Sequence, residues 1–471
     1  MDVKRGRLFP VEWAEADEVV PSLFQGNVLA DKGNEIGARE YLAQRRTVES
    51  HCPTGFPFAR ERSLRRVKRI FDPIHRFIEL APGEAALLDL PVMQRMRRLR
   101  QLGLAYLAFP SAEHSRFTHA LGAMAIGTRA FDAIVEHDRA LFSNEREIAA
   151  QRRLLRVALL LHDIGHGPFS HACEAVLGMP HEARTAALLA QPSMRSRIEG
   201  LDIDPDEVLG LILGSGDARY PALRELVSGP NLDADRMDYL QRDSYFTGVV
   251  NGRYDAEQLL ASLRLIDRNG ELVLGIDGRG VVALESFVLA RYMMFASVYF
   301  HHTTRLFERI LQDVLHELWP DPRALDPIDE FLRWDDFRVL NELNDRQSAA
   351  AAALRERTRL YGLAAEFNAE RDLRAFEACE AALRERFGDA GIWADSQSQL
   401  LHRLPLVLDD PGSRTVWVTG AAGIVDAREA SDLIAKLSGR VYWRKIFVTR
   451  SAGSIAEARA ICKDTLVAMR R

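Results

Sequence analysis

The chain has 471 residues, a length that predicts two or three compact units rather than one small core. Hydrophobic residues make up 47% of it and charged residues 27%, the balance of an ordinary globular protein. The formal net charge of −5 argues against a protein that coats nucleic acid or a membrane through its overall charge. Local arginine runs at 60–69 and 95–100 are typical of solvated helix faces, although such runs can also contact phosphates.

The cysteines and the apolar segments predict a protein of the reducing cytoplasm. The four cysteines show no CxxC spacing, so neither a disulfide framework nor a thiolate zinc site is expected. The first residues carry charges without an apolar run behind them, which does not resemble a signal peptide. No stretch is expected to supply the ~20 apolar residues that cross a bilayer. We therefore expect a cytoplasmic protein with no membrane partner.

From its amino terminus, the chain is predicted to begin with an extension and to continue into a helical domain. Residues 1–66 show weak periodicity and are interpreted as the extension. Over 67–320, apolar residues recur mostly at helical spacing. One break, at 265–274, carries apolar runs on both sides of an Asn-Gly pair and predicts a β-hairpin. The main domain is thus expected to be mainly α, a helical core with a small β-hairpin.

Residues 321–471 show a different pattern and are interpreted as a smaller C-terminal α+β domain. Prolines at 320, 322 and 327 mark its beginning. A charged, alanine-rich stretch predicts helix over 329–387, two runs at 414–418 and 441–449 predict strands, and a last helix is expected over 454–470. We expect this domain to serve oligomerisation or regulation.

A cluster of histidines and acids follows a strongly apolar helical segment. Four histidines and three acids lie within 162–182, in HDIGHGPFSH at 162–171 and then at Glu174 and His181-Glu182. A lone histidine beside an apolar run is more often a core residue, but seven such side chains together are difficult to explain that way. Histidine and carboxylate suit divalent cations such as Fe, Mn, Zn or Ni. Because an apolar helix ends at this cluster, we predict a preorganised metal site there.

Further ligands have to come from elsewhere in the chain, and two segments offer them. Upstream, Arg116 and His119 are three residues apart and therefore share a helix face. Downstream, Asp233 and Asp235 lie at a predicted helix start, where acids also favour the helix dipole without any metal. The residues alone leave both interpretations of these two acids open.

The motifs in this order resemble the HD phosphohydrolase superfamily and, within it, the deoxynucleoside triphosphate triphosphohydrolases. The matching segments are FDPIH at 71–75, QLG at 101–103, SRFTH at 115–119, HDIGHGPFSH at 162–171, DADRMDYLQRD at 233–243 and YFHH at 299–302. The similarity covers roughly 67–320 and extends to the sterile-alpha-motif/HD enzyme of animals and its bacterial allosteric relatives. No sterile-alpha-motif domain is evident in 1–66.

The resemblance implies a divalent metal ion (Fe, Mn, Mg, Zn or Ni) whose ligands are His119, His162, Asp163 and Asp235. It also implies attack of a metal-bound hydroxide on the α-phosphorus of a dNTP, releasing deoxynucleoside and tripolyphosphate. The catalytic group beside the metal would be His166, His171 and Glu174.

A histidine that titrates near neutrality can protonate the leaving 5′-oxygen, and we predict this role for His171. Glu174 would hold its tautomer. His181 and Glu182 are expected to support the site from outside the metal ligands.

Several predicted substrate contacts share a helix face. Arg236, Tyr239 and Asp243 lie at i, i+3 and i+7. The resemblance implies that Arg236 and Tyr239 contact phosphates and that Asp243 accepts from the sugar 3′-hydroxyl. Arg291 would contact the terminal phosphate, and Tyr299 would leave no space for a ribose 2′-hydroxyl.

Three more contacts are implied by the same resemblance. Arg116 would reach the α-phosphate, and Gln101 and Leu102 would border the sugar. Without the resemblance, each predicted contact is equally well interpreted as a surface ion pair or a core side chain.

A guanine-nucleotide activator site between subunits is implied for Lys68, Asp89, Gln94 and Arg97. These residues lie in or near LDLPVMQRMR at 88–97 and the preceding FDPIH segment, in which Asp72 is also implicated. Phe71 and His302 replace a polar residue and a lysine of the animal enzyme. The alternative is an amphipathic helix with a solvated arginine face. A homo-oligomer, dimer or tetramer, is expected with such a site.

Two other functions remain open from the sequence. One is an HD phosphohydrolase that acts on a monophosphate, a cyclic nucleotide or an alarmone. The other is a nucleic-acid-binding protein on an HD scaffold, which is possible through the arginines of 60–69 but is not favoured, because the predicted ligands and acid are all retained.

Overall fold

The computed structural model describes residues 67–215, 221–268, 270–400, 416–421, 423–437 and 440–470. Arg66–Arg471 form one compact unit. The predicted extension 1–66 lies outside the described residues, and the proposed boundary near residue 320 stays a prediction.

The larger part of this unit is helical, as predicted. Its first helices are α1 Pro82–Leu88, α2 Pro91–Arg95, α3 Arg116–His137, α4 Glu145–Leu161, α5 His171–Leu177, α6 His181–Leu189, α7 Pro192–Glu199, α8 Pro205–Leu213, α9 Pro221–Ser228, α10 Ala234–Thr247, α11 Ala256–Ala261 and α12 Val281–Met294. A π-helical turn, Phe295–Tyr299, continues α12. The later helices are α13 His302–Leu318, α14 Ile328–Leu332, α15 Asp336–Glu342, α16 Ala349–Arg355, α17 Leu373–Phe387, α18 Ala427–Ala430, α19 Asp432–Lys436 and α20 Ile455–Ala468.

The long helix α3 is the centre of the fold, packing against α4 and α10. Helix α4 begins where Asn144 accepts a hydrogen bond from the Glu147 amide, at 3.0 Å. Its last turn is buried on every side, with Leu159, Leu160 and Leu161 fully inaccessible to solvent. The residues that follow α4 therefore start from a rigid, buried position.

The predicted hairpin at 265–274 is confirmed. Strands β3 Leu263–Arg268 and β4 Glu271–Asp277 pair antiparallel, with Leu265 opposite Leu274. The sequence did not reveal that the hairpin is half of a larger sheet. Strand β7 Trp417–Gly420 adds to β4 in parallel, and β8 Gly423–Asp426 follows it, giving the order β3-β4-β7-β8.

The C-terminal part combines helices and strands, but one of its predicted helices is wrong. The stretch 329–387 is not continuous helix, because strand β5 Tyr361–Phe367 interrupts it. Strand β9 Arg440–Thr449, which confirms the predicted run at 441–449, lies between β5 and β6 Ile392–Leu400. The last helix is confirmed as Ile455–Ala468. A short hairpin of β1 Lys68–Asp72 and β2 Arg76–Leu80 opens the unit.

One expectation about membrane-spanning length is wrong. Among the described residues, the helical stretch Gly278–Tyr299 is long and apolar enough to cross a bilayer by length and composition. Half of it is buried inside the protein, including Leu284, Phe287 and the charged Arg291. A helix in the core of a globular domain passes the same test of length and composition.

The packing of β7 onto the hairpin can be tested at Ile276. Its side chain is fully buried in the main core, opposite Val418 of β7. We expect Ile276→Ala to lower the free energy of unfolding by about 2–5 kcal/mol, because it leaves a cavity where the two segments meet. Urea unfolding measures this. Val282→Ala, at a side chain that is 73% exposed, is the control and should change it by less than about 0.5 kcal/mol. If the two changes lower the free energy of unfolding equally, Ile276 does not stabilise the packing of β7 on the hairpin.

Candidate metal centre

The four predicted metal ligands converge at the junction of α3, α4 and α10. His119 lies in the first turn of α3, and His162 and Asp163 directly follow α4. Ligand atoms of these three residues all lie within 4.8 Å of one another. Asp235, in the first turn of α10, places Oδ1 2.9 Å from His119 Nε2 and 3.9 Å from His162 Nε2.

The two histidines are oriented by their other ring nitrogens. His162 Nδ1 donates to the Leu159 carbonyl at 2.7 Å, and His119 Nδ1 contacts Asp238 Oδ2 at 2.8 Å. Their Nε2 atoms are buried, and both face Asp235 Oδ1. Two such nitrogens beside two carboxylates form a donor set that suits a divalent cation of the Fe, Mn, Zn or Ni type.

The charges at this junction are strongly coupled. Burial lowers the pKa of His119, but hydrogen bonds with Asp235 and Asp238 outweigh burial and raise it to about 10. Burial raises the pKa of Asp235, whereas its bonds with His119 and His162 hold that pKa below its usual range. The carboxylates thus favour positive charge at this junction, and a bound cation would supply that charge.

The acids at 233 and 235 have different roles, so both interpretations of the sequence apply. Asp233 is the N-cap of α10, because its Oδ1 accepts from the Arg236 amide at 2.8 Å. It also forms an ion pair with the Arg236 side chain. Asp235 instead faces the two histidines.

A buried carboxylate that sequence reasoning missed holds His119 in place. Asp238 is fully buried, and besides His119 it contacts His75 Nε2 at 2.6 Å and Arg242 at 2.8 Å. Arg242 in turn bonds Asp72. A signal was available, since Asp238 lies one helical turn after Asp235. The tight fit extends to α3, where a Cβ on Gly122 would lie 2.0 Å from Asp238 Oδ1.

The predicted catalytic residues surround a single carboxylate. Glu174 Oε1 lies 2.9 Å from His181 Nδ1 and 3.3 Å from His166 Nδ1, and its Oε2 lies 3.1 Å from His171 Nδ1. His166 also reaches Asp163, with Nε2 3.3 Å from Oδ1, and so connects the metal ligands to Glu174. The His171 side chain is 77% exposed, which leaves it accessible to a ligand.

His181 lies closer to this group than the sequence indicated. Its ring stacks on that of His166 with centroids 3.7 Å apart, and Glu182 lies 3.4 Å from its Nδ1. Burial, with Arg116 nearby, lowers the pKa of His166 to about 3, which keeps this ring neutral. Three histidines thus share one carboxylate, that of Glu174. Burial raises the pKa of Glu174, but its hydrogen bonds to the three histidines outweigh burial and hold that pKa far below its usual range.

Several of the predicted substrate residues contact one another around α10. Tyr299 donates to Asp243 Oδ2 at 2.7 Å, and its ring meets that of Tyr239 edge-on at 6.0 Å. Burial raises the pKa of Tyr239, and the charges of Arg291 and Arg236 counter it, so both guanidinium groups lie near this phenol. Tyr299 ends the π-helical turn after α12, an irregularity that is frequent at functional sites.

The other predicted contacts approach the same place. Arg116 donates to Asp163 Oδ2 at 2.5 Å, so it touches a candidate metal ligand. The backbone N–H of Gln101 donates to the backbone carbonyl of His114 at 2.9 Å. The ring of His114 in turn contacts Asp243, with Nε2 2.8 Å from Oδ1. The sequence reasoning missed His114. Leu102 precedes the turn Gly103–Leu107 and packs against the main core.

Three of the four predicted activator residues lie together. Gln94 donates to the Leu88 carbonyl at 2.7 Å, next to Asp89, and accepts from Arg97 Nε at 3.0 Å. Arg97 also lies over the Phe117 ring at 3.6 Å. Lys68 is exposed in β1, and the contacts of the described residues do not join it to that group.

Comparison with known families identifies two parts of the chain. The model of the HD domain matches residues 116–243, and that of an HD-associated region matches 254–376. The first contains the four candidate ligands, and the second begins after α10.

Curated relatives match about half of this chain and about half of their own length. An uncharacterized protein of Bacillus subtilis, YwfO, is 38% identical over 253 residues, 52% of this chain and 54% of that protein. The human deoxynucleoside triphosphate triphosphohydrolase SAMHD1 is 28% identical over 314 residues, 59% of this chain and 47% of that enzyme.

Two solved structures share the fold over most of the chain. A hypothetical protein from Aquifex aeolicus is 29% identical, with a TM-score of 0.72 over 84% of this chain and all of its own. A phosphohydrolase from Bacteroides thetaiotaomicron is 24% identical, with a TM-score of 0.62 over 82% of this chain and all of its own. The second likeness concerns the fold alone.

The role of Asp238 in orienting His119 can be tested by Asp238→Asn. The amide keeps the size of the side chain but cannot accept from all three partners, so we expect the affinity for Mn²⁺ to fall about 10- to 100-fold. Isothermal titration of the metal-stripped protein measures this. Asp138→Asn is the matched control, because Asp138 is also buried and paired with an arginine, Arg264, but in the β3 region. Unchanged Mn²⁺ affinity in the Asp238 variant would show that His119 is oriented without it.

Proposed function

We propose that this HD-domain protein, which has the phosphohydrolase fold, is a metal-dependent hydrolase that converts dNTPs to deoxynucleoside and tripolyphosphate. The observation that carries the proposal is the hydrogen bond from Tyr299 to Asp243, a residue of the same helix, α10, that carries Asp235. A hydrogen-bonded phenol and carboxylate on the helix that also carries a candidate metal ligand form a suitable site for a sugar attached to a phosphate chain. The similarity to SAMHD1 supports the same substrate class.

The charges around the site suit a substrate with several phosphates. Arg116 of α3 bonds the candidate ligand Asp163, and Arg236 of α10 and Arg291 of α12 lie near Tyr239. A divalent cation on His119, His162, Asp163 and Asp235 would acidify water and neutralise phosphate charge. The arginines would then hold the rest of the chain and fix the α-phosphorus beside the candidate ligands.

The leaving 5′-oxygen needs a proton, and we assign its delivery to His171. This ring is exposed on one side and bonded to Glu174 on the other. The carboxylate on Nδ1 orients the ring and leaves Nε2 free to face a bound ligand, the geometry that a general acid needs. His166, buried and neutral, would connect this pair to Asp163 without supplying the proton.

Selection of a deoxyribose would follow from the fixed position of Tyr299. Its hydroxyl is bound to Asp243, and its ring packs edge-on against Phe295 and Tyr239. A ring held on several sides cannot move away from a 2′-hydroxyl. The other oxygen of Asp243 bonds His114. This contact would fix the carboxylate for the sugar 3′-hydroxyl. We extend the proposal to a homo-oligomer in which Asp89, Gln94 and Arg97 bind a guanine-nucleotide activator.

Product analysis tests the proposal directly. Purified protein with Mn²⁺ or Mg²⁺ is incubated with each dNTP and each rNTP, with and without GTP, and products are separated by ion-exchange chromatography. We expect deoxynucleoside and tripolyphosphate, no turnover of rNTPs, and loss of activity in EDTA. Monophosphate with pyrophosphate would show that the bond between the α- and β-phosphates breaks instead of the bond to the 5′-oxygen, which contradicts the proposed reaction. Turnover of only a monophosphate or cyclic nucleotide would replace the proposed substrate class.

His171→Ala tests the assigned acid. We expect it to keep its metal content and to lower kcat about 10²- to 10⁴-fold, because the leaving oxygen loses its proton donor. Metal analysis and steady-state kinetics measure both quantities. His316→Ala, at an exposed histidine in the last turn of α13, is the control and should retain wild-type kcat. Full activity of His171→Ala would move the role to His181.

A further inference from the structure

We infer that Asp336, in the HD-associated region, is a positioning residue that holds the loop before His171 in its working conformation. The inference rests on the proposed function only in taking His171 as the acid. Asp336 begins α15 and is fully buried. It lies 165 positions after His171 in the chain, and none of the sequence motifs contains it.

The two oxygens of Asp336 each accept from a backbone amide. Oδ1 accepts from Phe169 at 2.8 Å, and Oδ2 accepts from Arg100 at 2.8 Å. Phe169 belongs to the HDIGHGPFSH motif, and Arg100 directly precedes Gln101 and Leu102. One carboxylate therefore joins the catalytic loop to the segment predicted to border the sugar.

The loop needs such support because its backbone is strained. Phe169 and Ser170 have φ of 53° and 55°, values that side chains other than glycine rarely adopt. Consecutive residues of this kind persist only where their surroundings fix them. The next residue is His171, the first of α5, so the turn at 169–170 sets the direction of the catalytic ring.

Neighbours of Asp336 hold the rest of the loop. Arg95 bridges the two parts, donating to the His166 carbonyl at 2.9 Å and to the Trp334 carbonyl at 2.8 Å. At Gly167 a Cβ would lie 2.7 Å from Cys173 Sγ and 3.3 Å from the Phe331 ring. The HD-associated region thus contacts the loop at several points, and Asp336 bonds the strained backbone itself.

The position of Asp336 is unfavourable for a purely structural residue. Burial raises its pKa to about 6, although the hydrogen bonds from the two backbone amides and the charges of Arg100 and Arg95 act to lower it. Arg100 NH1 lies 3.9 Å from Oδ2, so the carboxylate is not closely paired with a cation. Burying a carboxylate without a close ion pair destabilises the folded state. Holding two amides at a fixed separation gives this carboxylate a specific purpose.

The test compares Asp336→Ala and Asp336→Asn with the control Arg98→Ala. Arg98 pairs with the neighbouring Asp335, and its side chain is about half exposed. Hydrogen–deuterium exchange of the peptide that carries Phe169 is measured together with metal content, kcat and KM. For Asp336→Ala we expect about tenfold faster exchange in that peptide and a kcat about 100-fold lower, with unchanged metal content and KM within about threefold.

Asp336→Asn should give intermediate values, since its amide oxygen accepts from one of the two N–H groups. Arg98→Ala should match wild type in exchange rate, metal content, kcat and KM. Unchanged exchange at Phe169 in both Asp336 variants would overturn the inference, as would faster exchange with wild-type kcat. If Asp336→Ala does not fold, Asp336→Asn decides between these outcomes.

The exchange measurement needs no substrate, so it separates the two proposals. If the wild-type protein hydrolyses no dNTP but hydrolyses a nucleoside monophosphate, kcat is measured on that ester, whose leaving 5′-oxygen also needs a proton. Slower turnover of the ester and faster exchange in Asp336→Ala would then support the positioning role of Asp336. In that case only the proposal that dNTPs are the substrate would be contradicted.

Discussion

The candidate site depends on one buried carboxylate, Asp238 of α10, whose side chain contacts His119 of α3. It accepts hydrogen bonds from His119, His75 and Arg242. It therefore fixes the side chain of His119, the candidate metal ligand on α3. A charge without access to solvent is stable only when its partners are fixed as well, and here each partner belongs to a different element or turn. Packing and electrostatics thus impose the same geometry: Gly122 leaves room for the carboxylate, and the carboxylate orients His119.

The same principle extends outward from the metal ligands. His162 is oriented by a carbonyl of the helix that it ends, and Asp163 is shared between Arg116 and His166. Glu174 then gathers three histidines, only one of which is largely exposed. The site consists of a buried, pre-oriented interior and one accessible ring, a division that suits chemistry at the phosphorus of a bound ligand.

The region after the HD domain takes part in this arrangement. It supplies Tyr299, at the end of a π-helical turn, and Asp336, which bonds the strained turn before His171. It also supplies β4, which pairs with the distant β7. The HD-associated region therefore contributes to the walls and to the rigidity of the site, and the two matched regions form one structural unit.

The sequence was enough to predict the helical core and the hairpin at 265–274, because periodicity and an Asn-Gly turn are local signals. The sequence also indicated, through its histidine motifs and the resemblance to HD phosphohydrolases, which residues converge at the candidate metal centre. It failed at β5, which interrupts the helix predicted over 329–387, since pairing with β9 outweighed local helix propensity. It also missed Asp238, His114 and Asp336 as parts of the site. Each is an ordinary polar residue whose role comes from partners in distant segments, and only the tertiary structure decides which distant segments meet.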